Sequence, residues 1–401
     1  MNSFFASVEL LEHPELNDLP VAIAGDPEKR HGIILAKNDA AKKYGVITAE
    51  TLQSALRKCP MLRLLSPHHE KYRYYSKRIN RIYLEYTDLV QPFSIDESWL
   101  DVTASEKLFG NAENIANEIR ARIKENFGLT LSAGVSFNKI FAKMGSEYKK
   151  PDATTVISPS NFRSILWPLS VSEFFFVGRR GADRLKAIGI NTIGQLAQAD
   201  RNLLADIFGT HGYELSDYAN GLEDSPVTRY GEERKVKSIG HGTTFSRNII
   251  GRDDISLALT DLADNVSSRM RYRHLVAGGI RVEITDPAFK RVSKQKRVSR
   301  TLKSSADIKE AAMSLVEELK YLDRPIRLIT VTVINLKSEE SAEQITILSL
   351  LSPSSDNSGR NRDIDSAIDE IRSKYGRGSI TFAHALDNDI GIDSHKERGG
   401  K

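Results

Sequence analysis

Cysteine is almost missing from this sequence: 401 residues contain one, Cys59. A lone thiol excludes an internal disulfide and any zinc site built from several cysteines. Beside Pro60 it reads as a small packed residue. Long apolar runs are missing too, and nothing approaches the ~18 consecutive apolar residues of a membrane span. The N-terminus shows no basic segment leading into an apolar core and cleavage site, so no signal peptide is visible and the cytoplasm is the expected compartment. A strong excess of one charge is also lacking, since 57 Lys and Arg against 53 Asp and Glu leave only +4. Net charge alone therefore does not define a nucleic-acid partner; the placement of the cations decides. With 40% apolar and 27% charged residues, the chain is an ordinary globular one. Its length suits roughly two to four domains.

The most informative stretch present is Phe93-Ser94-Ile95-Asp96-Glu97-Ser98-Trp99-Leu100-Asp101-Val102-Thr103. Apolar residues flank two adjacent acids, the pattern of two short strands with a tight turn. Neighbours in a regular strand point to opposite faces, so Asp96 and Glu97 share one metal site only if the backbone kinks between them. Taken alone, the stretch reads first as a solvated acidic turn, with a metal site as the alternative.

Before it, Pro20–Gly25 and Gly32–Ala36 read as strands, and Asn38–Tyr44 and Thr51–Lys58 as short helices. Tyr72, Tyr75, Ile79, Ile82 and Tyr83 are spaced for a helix over His69–Tyr86, and Ile115, Ile119 and Ile123 for one over Leu108–Phe127. A strand at Leu129–Val135, a helix at Asn138–Tyr148 and a strand at Thr154–Ile157 complete an expected α+β sheet with helices on one face. Phe174–Gly189 reads as helix, glycine turn, helix, with Arg179 and Arg180 beside Gly178. Backbone N–H groups at such a turn suit a phosphate. The pattern resembles a helix-hairpin-helix, with Phe176 in place of its first glycine; a plain helical hairpin is the simpler alternative.

After a polar linker the order is strand, helix, strand, strand, helix, strand, that of a small ferredoxin-like domain. Its third strand region carries Lys290, Arg291, Lys294, Lys296, Arg297, Arg300 and Lys303 with no acid among them. Edge strands use lysine to block aggregation, but seven cations read better as contacts to phosphates. Paired sheet aromatics that would stack RNA bases are lacking. Ser352–Arg362 is rich in Ser, Asn, Asp and Gly and is expected to be flexible, Asp363–Tyr375 to form a helix, and Gly376–Ser379 and the end from Asp387 to be unstructured.

These motifs together resemble the Y-family of translesion DNA polymerases, in the DinB or DNA polymerase IV branch. The resemblance covers roughly residues 1–345 and rests on Phe4-Phe5-Ala6-Ser7-Val8-Glu9, Ala41-Lys42-Lys43-Tyr44-Gly45-Val46, Ser94-Ile95-Asp96-Glu97, Ser132-Ala133-Gly134-Val135-Ser136, Asn138-Lys139, and Ala142-Lys143 followed by Lys150-Pro151. It implies an α+β, multidomain right hand. The palm would be residues 1–10 and 67–160, the fingers 11–66, and the helical thumb 161–229, with the helix-hairpin-helix. A linker at 230–236, a ferredoxin-like little finger at 237–345 and a tail at 346–401 would follow.

The resemblance also implies a chemistry: primer–template DNA and deoxynucleoside triphosphates as partners, and two Mg²⁺ ions as cofactors. Asp96 would bridge the ions and Glu97 would hold the one that activates the primer hydroxyl. Phe5 would lie under the sugar and exclude a 2′-hydroxyl. The backbone around Asn2, Phe4 and Phe5, with Lys150, would contact the triphosphate. Relatives use a Tyr and an Arg for the triphosphate where this chain has Asp39 and Lys42; Lys42 keeps a charge without the guanidinium fork, and Lys37 is expected to compensate. Gly178, Arg179 and Arg180, and Lys290, Arg291, Lys294, Lys296, Arg297 and Arg300, would grip the DNA backbone.

The family's first strand ends in a metal-binding Asp just before the position of Met1, so a truncated start is the expectation and weak activity its consequence. The alternative is a protein that grips DNA without catalysis. Leu348-Ser349-Leu350-Leu351 loosely resembles the motif that docks such polymerases on a sliding clamp, but without Gln and Phe in register a strand end or linker is the simpler reading. A monomer is expected.

Overall fold

The computed structural model describes residues 1–25, 32–232, 235–339, 357–383, 386 and 388–392. The chain forms two compact units, one from Met1–Ile23 and Ile34–Glu232, the other from Ala24–Ile33 and Glu233–Lys401. Among the described residues no helix is long and apolar enough to cross a membrane.

The first unit opens with α1 (Phe4–Leu10). A three-stranded sheet follows, order β2-β1-β3, from β1 (Val21–Ala24), β2 (Ile34–Lys37) and β3 (Arg63–Leu65), with β3 parallel to β1. Two short helices, α2 (Asp39–Lys43) and α3 (Leu52–Lys58), lie between β2 and β3. Both start on capped N–H groups: Asn38 accepts from Ala41 N–H and Thr51 from Ser54 N–H. The three-residue β3 escaped the sequence reading, because Arg63-Leu64-Leu65 has no alternation to detect.

Two long helices follow, α4 (His69–Leu84) and α6 (Ala112–Phe127). The predicted Leu108–Phe127 helix is divided: α5 (Glu106–Phe109) stops at Gly110, whose φ of 84° ends it, and Asn111 caps α6 afresh. Phe4, Val8, Tyr72, Ile79, Ile82, Ile115, Ile119 and Ile123 form one core. Against it lie two separate ladders where one sheet was expected. β4 (Val90–Pro92) and β5 (Ser98–Leu100) are antiparallel; β6 (Ala133–Ser136) and β7 (Thr154–Ile157) are parallel. Residues 1 and 2 bond beside them: Met1's ammonium donates to Asp96 O, in the β4–β5 turn, at 2.9 Å, and Asn2 N–H donates to Thr130 O, just before β6, at 3.0 Å.

Helix α7 (Lys139–Tyr148) lies hard on β6. A Cβ on Gly134 would meet Ala142 O at 1.9 Å, so only glycine allows this approach. Phe141 stacks on Phe162, which joins α7 to the core of α8 (Phe162–Leu166), α9 (Arg179–Ala187), α10 (Ile193–Gln198), α11 (Arg201–Phe208) and α12 (Thr210–Ala219).

The second unit has the expected element order: β8 (Ser238–Ile249), α13 (Arg252–Arg271), β9 (Leu275–Thr285), β10 (Arg291–Leu302), α14 (Ser305–Glu318) and β11 (Ile326–Ser338). The sheet order is β10-β9-β11-β8, antiparallel throughout, so β8 and β10 are its edges. Ile280, Val282 and Ile284 of β9 face a core shared with Leu259, Leu262 and Leu315.

The C-terminal region differs from the expectation. Helix α15 runs over Asn357–Tyr375, beginning within the stretch read as flexible, and Arg377–Ser379 forms a further helical turn. α15 is held by charge: Arg271 donates to Asp365 (2.8 Å) and Asp369 (2.7 Å), and Arg372 to Asp264 (2.6 Å). Asp365 is buried and also accepts from Ser305 N–H and hydroxyl, both at 2.7 Å. Ile390 and Ile392 lie in the core of this unit, and Ser246 N–H donates to Ile390 O. Composition hid this docking because its partners lie far away in sequence. The motif at Leu348–Leu351, linker residues 233 and 234, and residue 387 lie outside the described residues.

Candidate active site

The acidic stretch is a tight hairpin turn. Phe93 N–H (2.9 Å) and Ser94 N–H (3.2 Å) both donate to Glu97 O. Ser94 hydroxyl donates to Asp96 Oδ1 at 2.8 Å, and Asp96 N–H donates back to the Ser94 oxygen at 3.3 Å. The turn interrupts strand alternation, which removes the objection to two neighbours serving one site. Asp96 and Glu97 are half-buried beside a cleft of about 490 Å³, walled also by Met1, Tyr83, Lys143 and Lys150.

Both carboxylates face cations. Met1's ammonium lies 3.7 Å from Asp96 Oδ2, and burial lowers its pKa although Asp96 pulls the other way. Lys143 donates to Glu97 and, at 3.0 Å, to Glu147 Oε1. Lys150 donates to the same Glu147 oxygen at 2.6 Å. Burial opposes the charge on Lys143, but Glu97 and Glu147 hold its pKa above the ordinary value. Burial likewise opposes the charge on Glu147, and Lys150 and Lys143 hold that carboxyl below its ordinary value. Sequence reading used Lys143 only as a motif residue and missed Glu147. The signal was the i, i+4, i+7 spacing of Lys143, Glu147 and Lys150.

Other candidates fall at varied distances from this arrangement. Phe5 is half-buried outside the cleft wall; its ring lies on Tyr72, centroids 4.0 Å apart and planes at 12°, with His69 edge-on at 5.9 Å. Tyr72 hydroxyl donates at 2.5 Å to the buried Glu9. Phe4 is a core residue whose ring leaves only its backbone for a ligand. Asn2 acts as a brace. Its N–H and Nδ2 donate to Thr130, its Oδ1 accepts from Ser132 and its carbonyl from Ser7. Lys37 donates to Thr48 at 3.3 Å; burial, with the nearby charge of Lys42, lowers its pKa. Lys42 is exposed on α2, and neither lysine lines the cleft.

In the helical region, the first helix expected from Phe174 does not form; a 3₁₀ turn, Val171–Glu173, precedes a non-helical turn over 174–177. Gly178 precedes α9, Arg179 and Arg180 are exposed in its first turn, and a Cβ on Gly178 would meet nothing within 4 Å. Phe176 takes a left-handed φ of 72°, unusual for so bulky a residue. Its ring packs 4.2 Å from Phe175 and 5.9 Å from Tyr218, contacts a glycine there would lack.

On β10 the cations divide between two faces. Lys294 and Lys296 pair in register with Val282 and Ile280, placing them on the helix side. There Lys294 meets Glu318 at 2.9 Å and Lys296 meets Ser314 at 2.8 Å. Arg291 and Arg297, opposite Thr285 and Gly279, lie on the other face. That face carries Thr330 and Thr332 of β11 opposite Gly242 and Gly240 of β8. Lys290 precedes the strand and is exposed, as is Arg300. The cations expected to contact phosphates are thus divided between the two faces of the sheet.

Among the described residues no three His, Cys, Asp or Glu converge as a metal site. Two adjacent half-exposed carboxylates still fit Mg²⁺, which takes one or two protein carboxylates and completes its shell with water and substrate phosphates.

A carboxylate turn in a lysine-lined cleft, a helical region with a glycine-started helix and a βαββαβ unit define a polymerase of the Y-family type. Comparison with known proteins agrees. The impB/mucB/samB family pattern matches residues 1–147, and that of its C-terminal domain residues 236–347. A protein of Acetivibrio thermocellus named DNA polymerase IV is 38% identical over 95% of this chain and 94% of its own length. One of Pelotomaculum thermopropionicum with the same name is 35% identical over 100% and 97%. A solved Y-family DNA polymerase chimera of Dbh and Dpo4 superposes with a TM-score of 0.72 at 26% identity, covering 83% of this chain and 96% of that one. The chain belongs to the Y-family of DNA polymerases, in the DinB branch whose relatives are named DNA polymerase IV.

Proposed function

We propose that this chain adds deoxynucleotides to a primer 3′ end across damaged template, with the hairpin turn as its catalytic centre. The observation that carries this reading is the pair Asp96 and Glu97 on one turn, facing a cleft with Lys150 at its wall. Nucleotidyl transfer is an in-line displacement in which positioning and charge stabilisation do most of the catalysis. Asp96 and Glu97 are the residues that would hold Mg²⁺, which when bound supplies charge stabilisation at the attacking and leaving oxygens. Lys150 would steady the triphosphate. Phe5, backed by Tyr72, would present a flat surface to the sugar and exclude a 2′-hydroxyl. Arg179, Arg180, Arg291 and Arg297 would hold the DNA backbone without reading bases.

A second reading, a protein that grips primer–template DNA without turnover, is favoured by Lys143, which already pairs with Glu97. Primer extension on a damaged template with Mg²⁺ separates the two. Extension lost in Asp96→Asn supports the enzyme; DNA binding with no extension supports the second reading.

A further inference from the structure

We propose that Lys143 and Glu147 couple the carboxylate end of the cleft to its Lys150 end, so that metal binding and triphosphate binding favour each other. The proposal rests on the function inferred above for Glu97 and Lys150. Glu97, Lys143, Glu147 and Lys150 form an unbroken series of alternating charge. One atom, Glu147 Oε1, accepts from both ammonium groups, at 3.0 and 2.6 Å. Lys143 is the more buried, with 16% of its side chain exposed against 48% for Glu147, so it has little room to leave for solvent.

A divalent cation at Glu97 repels the Lys143 ammonium already there. Lys143 has one other carboxylate within reach, that of Glu147. As Lys143 shifts wholly to Glu147, two ammonium groups compete for one oxygen and Lys150 is loosened. Lys150 is then available to a phosphate. The reverse order works equally: a triphosphate that draws Lys150 away leaves Glu147 to Lys143, and Glu97 is freed. Such coupling is reciprocal by thermodynamic necessity. Only side chains need move, because the contact of Gly134 and Gly145 fixes the α7 backbone against β6.

The test uses the full chain and two probes, Mn²⁺ titrated without nucleotide and dATP titrated in EDTA, each by calorimetry or electron paramagnetic resonance as suits the probe. Lys143→Met keeps the buried stem and removes the competing charge; it is expected to tighten Mn²⁺ binding by roughly fivefold or more. Glu147→Gln leaves Lys143 to Glu97 alone and releases Lys150. It is expected to weaken Mn²⁺ binding and tighten dATP binding, opposite signs that a loss of folding would not produce. Unchanged Mn²⁺ affinity in Lys143→Met, or same-direction changes of both affinities in Glu147→Gln, overturns the coupling while leaving the metal site standing. Absence of Mn²⁺ binding in the unmodified chain overturns the metal site and the coupling together.

Discussion

At the cleft, three carboxylates and two lysines are gathered into a few contacts beside one turn; along β10, five cations are spread over a 12-residue strand and over both faces of a sheet. The cleft charges are half-buried and each is held by named partners. Those of β10 are mostly exposed, and two are tied to α14. The difference bears on what each region can do. Concentrated charge in a sheltered site acts strongly on one ligand. Exposed charge is screened by salt and acts additively on a polyanion.

The largest expected effect lies in the cleft. Asp96→Asn should lower the single-nucleotide extension rate by roughly a thousandfold or more, the loss of several kcal/mol of charge stabilisation. A fall below about tenfold would remove the hairpin from the reaction. Phe5→Ala should leave deoxynucleotide addition largely intact and raise ribonucleotide addition by about 10- to 200-fold, the range available to steric selection in an apolar site. Competition between the two triphosphates measures it, and an unchanged ratio would assign sugar selection elsewhere.

The β10 comparison is sharpened by salt. Neutralising Arg291 and Arg297 should reduce the slope of log affinity against log salt by roughly two, independent of DNA sequence. Neutralising Lys294 and Lys296 should reduce it less, since both are tied to α14 at 2.9 and 2.8 Å, whereas Arg291 meets Glu283 only at 3.7 Å. Equal slopes for the two double variants would mean that the faces do not differ.

The smallest effect concerns a carboxylate with many donors and no ligand to hold. Burial works against the charge of Glu50, but Lys58, Ile47 N–H and Ser54 hold its pKa down to about 2. The folded value is below the unfolded value of about 4.3, so this stabilisation is present above about pH 4.3 and fades as pH falls toward about 2. Glu50→Gln should lower the thermal midpoint near neutrality, and the gap should close in acid. A gap independent of pH would contradict the assignment.

Sequence made the cleft legible because its acids are adjacent and its helices periodic. Asp39–Lys43 and Leu52–Lys58 were likewise announced by Asn38 and Thr51 at their caps. Long-range pairing was not legible. The division of the β10 cations needed the register of Lys294 with Val282, and Asn2 became a brace only once Thr130 and Ser132 were beside it. Lys143 could not be placed on Glu97 from the sequence, 46 residues apart. Phe176 broke the glycine pattern of the helical hairpin because aromatic packing supports it in a conformation usually left to smaller residues.

The position of Ile390 and Ile392 has a consequence for synthesis. They lie in the same core as Ile239, near the start of the second unit. A chain emerging residue by residue from the ribosome would expose the seat for these isoleucines until almost the whole unit had been made. The first unit can close much earlier. Growing chains arrested at successive lengths should therefore gain protease resistance in two steps, the second only after residue 392 has emerged.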